Sequence, residues 1–150
     1  MAERDNFIRT FREIQPKFSR LLTRILTKAD LTLPQFALLN QLVNYGTLSM
    51  TEASDKLGIT KPAVTNLVDR LEKSKCLKRL PHSQDRRVSL LEIQPRGEQI
   101  VRDAQAQILP VLLKTLDRFG DGEKETIARF YSHLSKTLDE VLEKTRGRKK

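Results

Sequence analysis

Residues 49–74, SMTEASDKLGITKPAVTNLVDRLEKS, hold two short helix signals separated by almost nothing. Ser49 and Glu52 have the spacing of a capping box, in which a hydroxyl and a carboxylate each satisfy a backbone amide at a helix start. Gly58 supplies a stop. After Ile59, Thr60 can cap the next helix, with Pro62 in its first turn, where a missing N–H costs little. Val64, Leu67, Val68 and Leu71 recur at helical spacing and mark the second helix's apolar face. Lys61, Thr65, Asn66, Asp69 and Lys73 lie largely on the other side. Two short helices joined by a tight glycine turn make a helix-turn-helix, and the rest of the chain must be built around it.

The flanking segments extend that unit. LTLPQFALLNQLVNYG, residues 31–46, reads as a helix with Thr32 as N-cap, Pro34 in the first turn and Gly46 as the stop. CLKRL at 76–80 and VSLLEI at 88–93 are short strand candidates around the turn segment PHSQDRR, so a hairpin should follow the second helix of the pair. At the N-terminus Phe7, Phe11, Ile14, Phe18, Leu21, Leu22 and Ile25 form an amphipathic stripe. Pro16 interrupts it and predicts a kink or a separate arm, because an interior proline removes a hydrogen bond and clashes with the preceding turn. Pro95 and Gly97 open a long apolar repeat from Ile100 to Phe119, bent at Pro110. GDG at 120–122 breaks it, and Asp121 is the expected cap of a last helix carrying Ile127, Phe130, Leu134, Leu138, Val141 and Leu142.

The 150 residues carry a net charge of +9, which favours a polyanionic partner. Residues 73–87 hold Lys73, Lys75, Lys78, Arg79, Arg86 and Arg87 against Asp85 alone, and the last seven residues, KTRGRKK, hold five bases and no acid. Residues 96–143, by contrast, carry seven bases and nine acids. Cys76 is the only cysteine, so neither a disulfide framework nor a thiolate zinc site is available. His82 and His133 fit no ligand pattern, and no nucleophile–base pair or phosphate-cradling loop is present. A non-enzyme without metal or cofactor is the expectation. No run approaches a membrane span and the N-terminus lacks a secretory apolar stretch, which predicts a cytoplasmic protein away from membranes.

A helix-turn-helix sets its second helix in the DNA major groove, with residues near the helix start meeting base edges and phosphates. Asn can pair bidentately with adenine, Thr can offer its methyl to thymine, and Lys can meet guanine or phosphate. An arginine at the tip of a hairpin can enter the minor groove, and a neighbouring carboxylate would hold its guanidinium in one orientation. Asp85 and Arg87, two apart on an extended chain, could face one side. A solvated helix face and a surface ion pair are the plainer alternatives.

LTLPQFALLNQL, LGITKPAVTNLVDRLEKS and DRRVSLLEIQPRG together resemble the MarR family of bacterial winged-helix regulators, over roughly residues 30–100 by motif and the whole chain by helix order. The resemblance implies a mainly α protein with a small β-wing (α+β): a winged helix-turn-helix module at 31–95, dimerisation helices at 5–30 and 97–145, and a basic tail at 146–150. It implies a homodimeric regulator, more often a repressor, on a pseudo-palindromic operator in double-stranded DNA. Thr60, Lys61, Pro62, Ala63, Thr65 and Asn66 become recognition-helix candidates, with His82, Ser83, Asp85, Arg86 and Arg87 in the wing. Arg87 would be the wing arginine and Asp85 the acid that orients it.

A small aromatic or phenolic effector between the dimer helices and the module is the further implication, with Phe18, Leu22, Phe36 and Leu39 as candidate lining, although residues at such spacing are more often core. Three positions depart from the family pattern. Lys75 stands where glycine is usual, at a cost of roughly 1 kcal/mol if the backbone there is left-handed. Cys76 replaces an aliphatic residue, and Gln94 replaces the usual Thr or Ser cap. Two other readings remain at this point: a protein-interaction winged helix that reads no DNA, and a redox-sensing regulator using Cys76.

Overall fold

The computed structural model describes residues 2–147. It contains helices α1 (Ala2–Lys28), α2 (Leu33–Tyr45), α3 (Met50–Leu57), α4 (Lys61–Lys73), α5 (Pro95–Leu116) and α6 (Asp121–Gly147). Strands β1 (Leu48–Ser49), β2 (Leu77–Pro81) and β3 (Ser89–Ile93) form an antiparallel sheet in the order β1-β3-β2. The chain is thus mainly helical with a small wing. The side chains of the basic tail at 146–150 lie outside the described residues.

Caps delimit the central helices. Thr32 and Ser49 each form a full capping box, with Gln35 and Glu52 reaching back to the cap amides at 2.8 and 2.7 Å. Gly46 (φ 76°) and Gly58 (φ 66°) terminate α2 and α3 with left-handed backbone. Only glycine reaches that region without penalty. Lys75 reaches it as well, at φ 59°, between α4 and β2, so the strain anticipated for a non-glycine residue there is present.

One core joins these elements. Leu38, Leu39 and Leu42 of α2, Val64, Val68 and Leu71 of α4, Leu77 of β2, Leu91 of β3 and Val101 of α5 are buried together. At about 1.5–3 kcal/mol for each large aliphatic side chain removed from water, this cluster is the main stabilising term of the module. Gly97 is the contact between α5 and the wing's root: a Cβ there would sit 2.2 Å from the Cys76 carbonyl oxygen. The same oxygen accepts the Gln94 amide at 2.9 Å.

Three local expectations are corrected, and one strand is additional to them. α1 runs unbroken through Pro16, so no separate arm precedes it. Asp121 is the first helical residue of α6 rather than its cap. Gly120 takes the cap position, its amide donating to Glu123 at 2.8 Å while its carbonyl accepts from Lys124. α5 ends at Leu116, so Phe119 lies beyond it. β1 is an additional strand, pairing Leu48 with Leu91 and Ser49 with Leu90. Two residues carry no periodicity by which a strand could be read.

The long helices are finished differently. Ile25 and Leu26 bury the end of α1, yet Phe7, Phe11, Ile14 and Phe18 of α1 and Leu112, Phe130, Leu134 and Leu138 of α5 and α6 are each at least 38% exposed. Phe7 and Phe130 meet edge to face, with ring centroids 5.6 Å apart. A contiguous apolar surface of this kind is what an interaction site exposes.

Candidate nucleic-acid interface

The first residues of α4 are held by Thr60, whose hydroxyl accepts the Ala63 amide at 3.4 Å. Val64, Val68 and Leu71 anchor the inner face, so Lys61, Pro62, Thr65, Asn66, Asp69, Arg70 and Lys73 are exposed. Ala63 is half-buried, and its methyl contributes more to packing than to the outer face. The Thr65 hydroxyl donates to the Lys61 carbonyl at 3.1 Å, which commits its proton and leaves its methyl and lone pairs outward. Asn66 makes no hydrogen bond through its amide group among the described residues, and Lys61 and Lys73 make no ion pair. This face therefore offers an amide, a methyl and three cations to a partner.

The wing adds a second feature. Asp85, Arg86, Arg87 and Val88 form a turn closed by the Val88 amide on the Asp85 carbonyl at 3.0 Å, and the His82 amide bonds the Val88 carbonyl at 3.0 Å. Within this turn, rather than along an extended chain, Asp85 Oδ1 accepts the Arg87 amide at 3.0 Å and its Nε at 3.1 Å. Oδ2 accepts a terminal guanidinium nitrogen at 3.4 Å. These bonds hold the Asp85 carboxyl below its usual range: the Arg87 side chain contributes most, then its backbone amide. The Arg87 side chain is 91% exposed, so a fully solvated cation is held in a fixed orientation. Arg86 and Ser83 are exposed without a side-chain partner among the described residues.

Two bases of the 73–87 run are paired with acids elsewhere in the fold. Lys78 pairs with Glu92 across the β2–β3 ladder at 2.7 Å. Arg79 bonds Asp69 at 2.5 Å and also Glu72, and its backbone amide donates to Glu72 Oε1 at 3.0 Å. Burial lowers the Arg79 pKa, but the hydrogen bonds to Asp69 and Glu72 outweigh it and the net shift is upward. Outward positive charge on α4 and the wing therefore lies on Lys61, Arg70, Lys73, Lys75, Arg86 and Arg87. Arg79 instead braces the wing against α4 and screens two carboxylates that would repel phosphate. No pattern in the sequence marks it, because its partners lie seven and ten residues upstream and meet it only through the fold.

The remaining candidates separate. Cys76 is 1% exposed, with its thiol beside Ser74, so it lacks the exposure a redox sensor needs. Leu39 is fully buried in the core, and Phe36 packs against that cluster. Phe18 lies elsewhere, lining an apolar groove of about 730 Å³ with Leu21, Leu112, Leu116, Ile127 and Tyr131. Leu22 is half-buried on α1. Of the four effector candidates, Phe18 alone thus lines this groove. Among the described residues no group of His, Cys, Asp and Glu could hold a metal, and no helix is long and apolar enough to cross a membrane.

Comparison with known proteins bears on this geometry. The MarR family model matches residues 29–88. The chain is 31% identical over 112 residues to the HTH-type transcriptional regulator YfiV of Bacillus subtilis, spanning 75% of this chain and 70% of that protein. The structure of a MarR family protein from Bacillus stearothermophilus superposes with a TM-score of 0.75 at 27% identity, covering 93% and 99% of the two chains. A point mutant of S. aureus MepR, solved bound to an oligodeoxyribonucleotide, shares the fold, with a TM-score of 0.67 at 21% identity and coverage of 88% and 97%.

Proposed function

The chain belongs to the MarR family of transcriptional regulators, and from that premise we propose that it is a homodimeric repressor of a pseudo-palindromic operator. Two observations together carry this reading: the oriented Arg87 on the wing and the open Thr65–Asn66 face of α4. α4 lies in the major groove, where Asn66 and Thr65 meet base edges. Lys61, Lys73 and Arg86 contact phosphates, and Arg87 enters the adjacent minor groove, where negative potential is enhanced. The likeness to MepR, solved with an oligonucleotide, supports this docking.

The exposed apolar face of α1, α5 and α6 supports the dimer, because a second copy of that face removes it from water. Two recognition helices then sit about 34–36 Å apart, one turn of the duplex. The groove lined by Phe18 and Tyr131 supports an aromatic or phenolic effector site on the same side of the molecule.

Selection from random double-stranded DNA, repeated with a panel of small aromatic acids, tests the reading. A two-fold symmetric consensus, bound by a dimer in sedimentation and weakening steeply with salt, is the expected result. Salt-insensitive binding, or no consensus at all, overturns it. Asn66→Ala should relax preference at one base pair of each half-site, and Lys73→Ala should instead shallow the salt dependence.

A further inference from the structure

The His82 ring lies under the wing turn. Its Nδ1 is 3.2 Å from the Gln84 amide nitrogen and 3.3 Å from that of Asp85. Both partners are N–H donors, so Nδ1 accepts and the ring proton resides on Nε2. A chain of bonds follows. His82 holds the Asp85 amide, Asp85 holds the Arg87 amide and guanidinium, and the Asp85 carbonyl closes the turn on Val88. An Asn or Asp side chain gathers backbone amides in the same way at turns, with an oxygen where histidine has Nδ1.

We propose that His82 is a positioning residue for DNA recognition: its neutral imidazole gathers the Gln84 and Asp85 amides and so sets the turn that aims Arg87. The inference rests on the DNA-binding reading above. It differs from the plainer role of a cation on phosphate, because the two give opposite responses to acid. A phosphate contact strengthens when imidazole gains charge. An amide acceptor fails, since a proton on Nδ1 turns the acceptor into a donor facing two donors. Asp85 is the titratable group that meets the ring, and its carboxylate attracts the imidazole once that is charged; Arg86 and Arg87 follow it in the same turn. The facing strand residues, Val88 and Ser89, do not titrate.

The test is a fluorescence anisotropy titration of the selected operator by the full chain, its His82→Asn and its His82→Ala variants, at fixed salt, at about pH 8 and in mild acid at about pH 5. At the upper pH, His82→Ala should bind about five- to tenfold more weakly, the loss of one or two modest hydrogen bonds, and His82→Asn should stay within about twofold of wild type. On acidification wild type should weaken and His82→Asn should not. His133 is present in every variant and cancels. An asparagine variant as weak as alanine, or a His82-dependent gain in affinity at low pH, overturns the proposal. The ring's tautomer, read by nitrogen NMR on the DNA-free protein, reports on the turn separately: a proton on Nδ1 at pH 8 also overturns it. Wild type that binds no DNA specifically, with the proton on Nε2, overturns the regulator reading while leaving the turn geometry standing.

Discussion

Glu72 in the recognition helix accepts both the backbone amide and the guanidinium of Arg79 in the first wing strand. With Asp69 on the same guanidinium, one side chain ties together α4 and β2, the two elements that the proposed docking sets in register on DNA. The Arg79 side chain is 28% exposed and Glu72 39%, so water screens the pair. A double-mutant cycle with Arg79→Ala and Glu72→Ala, followed by chemical denaturation, should give a coupling of about 1 kcal/mol. Arg79→Ala should also weaken operator binding although Arg79 faces the protein's own acids. Unchanged affinity in a titration would show that the wing needs no brace.

Arg87→Ala should weaken operator binding by about tenfold or more, exceeding the effect of removing residues 146–150, because the wing cation is held and oriented. Asp85→Ala should also weaken binding, although it deletes a negative charge. A gain in affinity, as charge alone would dictate, would remove the orienting role. Comparing the three variants in one titration decides the ranking.

The junction between α4 and α5 permits a pair of substitutions with opposite signs. Lys75→Gly relieves a left-handed backbone at φ 59° and should stabilise the fold by about 0.5–1 kcal/mol. Gly97→Ala drives a methyl into the Cys76 carbonyl, which is backbone and cannot swing away. It should destabilise by about 2–3 kcal/mol. Urea midpoints of both variants against wild type check the two signs.

Glu52 is held below the usual carboxylate range, chiefly by its bond from the Ser49 amide and then by the Ser49 side chain, with Lys56 adding attraction. A depressed folded-state pKa contributes stability above the unfolded value near 4.5 and loses it as pH falls through the folded one. The melting temperature of wild type should therefore exceed that of Glu52→Gln at pH 7, and the gap should close as the solution is taken below about pH 4. A gap that persists in acid would deny the capping box its charge.

Much of the fold was legible because its signals are short-range. A capping box spans three residues, so Ser49–Glu52 shows in the letters, and Gly46 and Gly58 announce chain reversals that side chains resist. The helix-turn-helix and the hairpin followed from such marks and from apolar spacing. The start of α6 shows the limit even at short range. Asp121 is the better capping residue by type, yet Gly120 takes the cap and Glu123 satisfies its amide, leaving Asp121 in the first turn where the helix dipole favours an acid. His82 was legible as a wing residue but not as the ring beneath the turn, because histidine's two nitrogens permit either donor or acceptor.

By itself the sequence determined the order of the helices and the hairpin and the caps of α2, α3 and α4, since caps and periodicity are properties of neighbouring residues. Only the tertiary structure decided which charges face outward. Six bases in residues 73–87 look equivalent in one dimension, but the fold brings Asp69 and Glu72 to Arg79 and Glu92 to Lys78. Ion pairing depends on distance in space, and strand register and helix packing set those distances. Arg87 stays outward because its only acid is two residues away in the same turn, which aims the cation without burying it.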